Sequence, residues 1–75
     1  MILEKLKGII TEHMGVDESD ISENTNFREN INCDDIDIIE IILAVEDEFD
    51  IDIPDEDIVN ITTVGELADF VQANN

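Results

Sequence analysis

Residues 34–49 read Asp34-Asp35-Ile36-Asp37-Ile38-Ile39-Glu40-Ile41-Ile42-Leu43-Ala44-Val45-Glu46-Asp47-Glu48-Phe49. The two leading acids suit a helix start, because a carboxylate accepts the free N–H groups of the first turn and complements the positive end of the helix dipole. Apolar side chains then cover most of the helical circumference, as on a helix with neighbours on several sides. Asp37, Glu40, Asp47 and Glu48 collect on the strip that remains. The pattern predicts a mostly buried central helix with one acidic stripe, flanked on one side by Ile36 and Leu43.

Working toward the N-terminus, residues 16–34 are rich in Asp, Ser, Asn and Glu, with Val16, Ile21, Phe27 and Ile31 as isolated apolar positions. So long a stretch stays compact only if it is anchored. We expect a loop pinned by those four side chains, with a short helical turn. Before it, Ile2, Leu3, Leu6, Ile9, Ile10 and Met14 recur at helical spacing and Gly15 supplies a stop, which predicts a helix over 2–14. Toward the C-terminus, Ile51-Asp52-Ile53 alternates like a strand but is too short for a sheet. Pro54 can open a short helix over 55–59. Thr63-Val64-Gly65-Glu66 reads as a capping box for a last helix that carries Val64, Leu67, Ala68 and Val71 and runs to about Ala73. The order helix, long loop, helix, short helix, helix predicts an all-α bundle of three main helices plus one short one, a single domain over 1–75.

Composition sets the function classes. Three Lys+Arg stand against 21 Asp+Glu, a net charge of −18, and from Glu29 onward there are fifteen acids and no Lys or Arg. Such a chain repels phosphate backbones and anionic bilayers, which excludes nucleic acid and membrane surfaces as partners. With 43% hydrophobic residues it is too apolar for a disordered acidic tail. One cysteine neither staples a fold nor holds a structural zinc. No stretch is long and apolar enough to span a membrane, and Glu4, Lys5 and Lys7 interrupt any leader pattern. We expect a cytoplasmic monomer, without an enclosed cavity of enzyme size, whose acidic surface meets basic partners.

The segment Ala44-Val45-Glu46-Asp47-Glu48-Phe49-Asp50-Ile51-Asp52-Ile53-Pro54-Asp55-Glu56, together with Ile61-Thr62-Thr63-Val64-Gly65 and Phe27 in the long loop, resembles the acyl carrier protein family over nearly the whole chain. The resemblance implies a carrier that presents acyl intermediates to fatty-acid, lipid or polyketide enzymes, and not an enzyme. The family attaches 4′-phosphopantetheine, through a phosphopantetheinyl transferase, to the serine of a Gly-x-Asp-Ser-Leu motif at the start of the second helix. Here the matching residues are Asn32-Cys33-Asp34-Asp35-Ile36. Asn tolerates a left-handed backbone nearly as Gly does, and Asp34 and Ile36 match or conserve. Asp35 stands where the family has its serine. Arm transfer needs a hydroxyl nucleophile on phosphorus, and a carboxylate would give a readily hydrolysed mixed anhydride. No cofactor is therefore expected on this chain. Two origins fit: a substitution that holds an ordinary carrier in its unmodified form, or a relative that lost the arm. Aspartate retains one negative charge, as a phosphodiester would.

The resemblance further implies that basic patches of acyl-processing enzymes dock on Asp34, Ile36, Asp37, Glu40, Leu43, Asp47 and Glu48. It assigns an acyl pocket to Phe27, Ile39, Val45, Ile53, Ile58, Ile61, Leu67 and Phe70, positions that a plain apolar core would also fill. The alternative reading is an armless regulatory or scaffold module that binds basic partner enzymes through the same acidic helix. Cys33 lies near a helix start that would lower its thiol pKa, while Asp34 and Asp35 oppose this; it reads as a small packed residue. His13, the only histidine, has no adjacent nucleophile and reads as non-catalytic. The acids from Glu46 to Asp57 miss the EF-hand template, which needs a glycine at its sixth position. No specific metal site is expected, only weak divalent cation binding that relieves repulsion.

Overall fold

In the computed structural model, which describes residues 1–74, α1 spans Ile2–Met14, α2 Asp35–Phe49, α3 Asp55–Ile58 and α4 Val64–Asn74, with a 3₁₀ turn at Glu18–Asp20 in the long loop. No strand forms among the described residues; Asn26 and Thr63 make a single antiparallel bridge.

Each helix end follows from its local chemistry. α1 closes at Gly15, which takes φ 73°, a left-handed conformation that costs glycine no Cβ clash. α2 opens on a reciprocal box. The Asp34 carboxylate accepts the Asp37 N–H at 2.8 Å, and the Asp37 carboxylate accepts the Asp34 N–H at 3.1 Å. It closes on left-handed Asp50, φ 54°, whose N–H donates to the Glu46 carbonyl. The Glu46 side chain then accepts the Ile53 N–H at 2.7 Å and fixes the descent into α3. α4 begins with the expected box: Thr63 Oγ1 accepts the Glu66 N–H at 3.1 Å, and Glu66 Oε1 accepts the N–H of Thr63 at 3.0 Å.

The core is aliphatic. Leu6 and Ile10 of α1, Ile41, Ile42 and Val45 of α2 and Val64, Leu67 and Val71 of α4 are buried, and Ile53 joins them. α1 packs against both α2 and α4. The long loop is pinned by Ile21, Phe27 and Ile31, as its pattern predicts, and also by Thr25 and Cys33; Val16 is only half-buried. Its backbone is tied to the start of α4. The Phe27 N–H donates to the Thr62 carbonyl at 3.0 Å, the Val64 N–H to Thr25 at 2.9 Å and the Gly65 N–H to Glu23 at 2.8 Å. That approach demands glycine, because a Cβ at residue 65 would stand 2.7 Å from the Glu23 carbonyl oxygen.

One expectation is corrected. α2 is not mostly buried: Ile36, Ile39 and Leu43 are 66, 54 and 58% exposed. A domain this small has no element left to cover that side of the helix, so isoleucines that look like core in the sequence remain in water.

Candidate functional site

The first turn of α2 places Asp35 at the surface, with its side chain 81% exposed. Behind it the loop residue Asn32 adopts φ 59°, the left-handed conformation that Asn tolerates. The loop also delivers Arg28, because Asn26 Oδ1 accepts the N–H groups of Arg28 and Glu29, each at 2.9 Å, and turns the chain there. Arg28 Nη2 donates to Asp35 Oδ1 at 2.6 Å. The only base beyond α1 is thus paired with the exposed acid at the start of α2.

Beside this pair lies a groove of about 460 Å³. Phe27, Ile38, Ile39, Ile58, Val59 and Ile61 supply its apolar lining, and Arg28, Asp35 and Thr62 are among its polar residues. Four expected pocket residues, Phe27, Ile39, Ile58 and Ile61, therefore meet there. Val45, Ile53 and Leu67 do not line it and are sealed in the core, and Phe70 packs half-buried on α4. Ile38 and Val59 line it without having been singled out. Only a tertiary arrangement that brings the end of α3 to the groove beside α2 identifies them.

The exposed side of α2 carries an apolar ridge, Ile36, Ile39 and Leu43, next to Glu40 and Asp47. The acids of the stripe are not equivalent. The Lys5 ammonium donates to Glu48 at 3.4 Å and stands 5.8 Å from the centre of the Phe49 ring. His13 Nε2 lies 3.3 Å from Asp37 and 3.2 Å from Glu40. The basic side chains that α2 lacks along its own length thus come across from α1, a pairing that the local pattern of α2 does not contain. The Asp34 N–H bond holds the Asp37 carboxyl below the usual carboxylate range, with a further contribution from His13. Asp34 is committed to the helix cap.

Cys33, adjacent to the helix start, is buried, and its thiol is pushed up to about 11, first by burial and then by the charges of Asp37 and Asp34. Asp37 takes the part expected of Asp35, whose side chain turns outward to Arg28. The thiol is an inert core group. Thr62 carries the only hydroxyl among the groove-lining residues, and its Oγ1 donates to Glu66 Oε1 at 2.7 Å.

Comparison with known proteins gives consistent relatives. A family profile described as a phosphopantetheine attachment site matches residues 4–71. The acyl carrier protein of Clostridium acetobutylicum is 36% identical over 74 residues, covering 99% of this chain and 96% of that protein. The solved acyl carrier protein of Enterococcus faecalis superposes with a TM-score of 0.85 at 34% identity, covering 99% of this chain and 94% of that one.

Proposed function

The chain belongs to the acyl carrier protein family, and from that premise we propose that it is a carrier-type module whose attachment position is occupied by Asp35, so that the chain as written stays unmodified. The observation that carries this reading is the surface carboxylate of Asp35 in the first turn of α2, held at 2.6 Å by Arg28 at the edge of an apolar groove. Family members carry 4′-phosphopantetheine and are carriers rather than catalysts. The residues present here do not fit that group, because a phosphodiester needs an alcohol oxygen and the first turn of α2 offers a carboxylate. The groove's only hydroxyl, on Thr62, lies outside that turn and is engaged by Glu66.

The ridge of Ile36, Ile39 and Leu43, with Glu40 and Asp47 beside it, favours a second element of the reading. This face meets basic patches of acyl-processing enzymes, the apolar ridge contributing contact and the acids steering. It does not depend on an arm, which is why an armless regulatory or scaffold module remains the alternative. Asp47 is the acid of this stripe best suited to such a contact, because Asp37, Glu40 and Glu48 already face bases of α1.

The decisive experiment incubates this chain and its Asp35→Ser variant with coenzyme A and a phosphopantetheinyl transferase and reads intact masses. The variant should gain the arm and the parent should not. Failure of the variant beside a working control removes the carrier reading, and a mass gain on the parent removes the argument about Asp35. Charge reversal by Asp47→Lys should weaken binding to a basic carrier-dependent enzyme at low salt; unchanged affinity removes the docking face.

A further inference from the structure

His13, Asp37 and Glu40 are distant in sequence and unremarkable in their own segments. Packing of α1 on α2 brings one ligand atom from each to within 4.8 Å of the others. Asp37 and Glu40 are three residues apart, so they stand one turn apart on the same face of α2. His13 reaches them from the last turn of α1.

The geometry is more specific than an acidic patch. Both carboxylates point at a single ring nitrogen, His13 Nε2, at 3.3 and 3.2 Å. One N–H satisfies one acceptor squarely, and only the Asp37 contact is a hydrogen bond; the Glu40 oxygen faces the same nitrogen without one. With the ring protonated these contacts are an ion pair; with the ring neutral, the nitrogen lone pair and the two anionic oxygens converge as ligands for a cation. A cation with bonds of 2.0–2.2 Å to nitrogen and oxygen, at tetrahedral angles, sets its ligands about 3.4 Å apart. Both nitrogen–oxygen separations lie close to this, and all three ligand atoms lie within 4.8 Å of one another, so a bound ion would draw the ligands together. The site is also held in place. Asp37 Oδ2 is fixed by the Asp34 N–H at 3.1 Å, which leaves Oδ1 directed at His13. The side chains of His13 and Asp37 are each 28% exposed, and Glu40, at 54%, is the solvent-facing ligand.

We propose that His13, Asp37 and Glu40 form a transition-metal site of the Zn²⁺ class that clips the last turn of α1 to the first turns of α2. The donor set, one imidazole and two carboxylates, selects Zn²⁺ or a neighbouring first-row ion over Mg²⁺ and Ca²⁺, which take oxygen ligands alone. Three protein ligands leave further positions to water. Because the ion spans two helices it binds the folded chain and not the unfolded one, so it stabilises the fold by mass action. The site is independent of Asp35 and of any arm.

The test titrates the full chain with Zn²⁺ in excess Mg²⁺, which saturates diffuse binding by the many surface acids. One equivalent should bind, raise the melting temperature and shift the ring resonances of His13, which are unambiguous because it is the only histidine. His13→Gln and Glu40→Gln, each checked for native helicity, should each lose more than the roughly tenfold in affinity that even an outer partner of a metal ligand is worth. Equal Zn²⁺ affinity in His13→Gln and the parent overturns the proposal. So do ring resonances that stay unmoved at saturating Zn²⁺, or binding that disappears in Mg²⁺.

Discussion

Asp35 and Cys33 are two residues apart and have opposite environments. Asp35 is in water, paired with Arg28, on the first turn of a helix whose positive end favours an anion. Cys33 points inward and is 4% exposed. A thiol raised from 9.0 to about 11 loses roughly a hundredfold of its thiolate at mildly alkaline pH. Iodoacetamide should therefore label the native protein at pH 8 at least about a hundredfold more slowly than the urea-unfolded chain. Equal rates would mean that Cys33 is accessible. The sequence set a helix start that lowers the thiol pKa against neighbouring acids that raise it, and burial, the largest cause, came only with the fold. Which acids act was not legible in the sequence, because the distance from the sulfur depends on where each carboxylate turns after the helix begins.

At the scale of elements, both main helices that follow the loop are opened by reciprocal boxes, and the two differ in legibility. Thr63 and Glu66 have the residue types that signal a box. Asp34 and Asp37 achieve the same exchange with a shorter acid at the third position, so in sequence they register only as a generic acidic start. Glu66 is held below the usual carboxylate range, first by the Thr62 hydroxyl and then by the N–H groups of Thr62 and Thr63. A carboxyl lowered in the folded state contributes stability above the ordinary glutamate range and loses that contribution as pH falls through its folded value. Thermal melts across the acid limb should therefore show a shallower decline for Glu66→Gln than for the parent, whose melting temperature is higher at neutral pH; parallel curves would contradict the assignment. The contact between the long loop and α4 is the more demanding feature. Gly65→Ala pushes a methyl group to 2.7 Å from the Glu23 carbonyl oxygen, which accepts the Gly65 N–H in a loop that two further backbone bonds tie to the start of α4. It should cost about 1–3 kcal/mol, as overpacking does, read from urea unfolding; a neutral substitution would mean that the loop yields freely.

At the scale of the molecule, 21 acids share a 75-residue surface with three Lys+Arg. Two of those bases, and His13, stand against acids of α2. Lys5 and His13 face the acids of α2, and Arg28 faces Asp35. The remaining repulsion is long-range and unpaired, so salt should stabilise the fold. With a Debye length of about 10 Å at 0.1 M salt, the melting temperature should rise by several degrees from low salt to about 0.15 M, because about 1 kcal/mol moves a domain of this size by roughly 4–8 °C. A melting temperature independent of salt would show that the charge is already compensated.

The sequence by itself determined the helix order, the helix ends within a residue or so, the loop anchors and the family, because these rest on periodicity, capping chemistry and local motifs that act over a few residues. It also placed Asp35 at the head of α2. Tertiary structure alone decided which isoleucines face water, since burial depends on whether another element arrives to cover them. It decided that the groove is lined by Phe27, Ile38, Ile39, Ile58, Val59 and Ile61 while Val45, Ile53 and Leu67 close the core. It decided, too, that bases of α1 serve acids of α2. Those outcomes are distances between segments far apart in the chain, and no local pattern encodes such a distance until packing sets it.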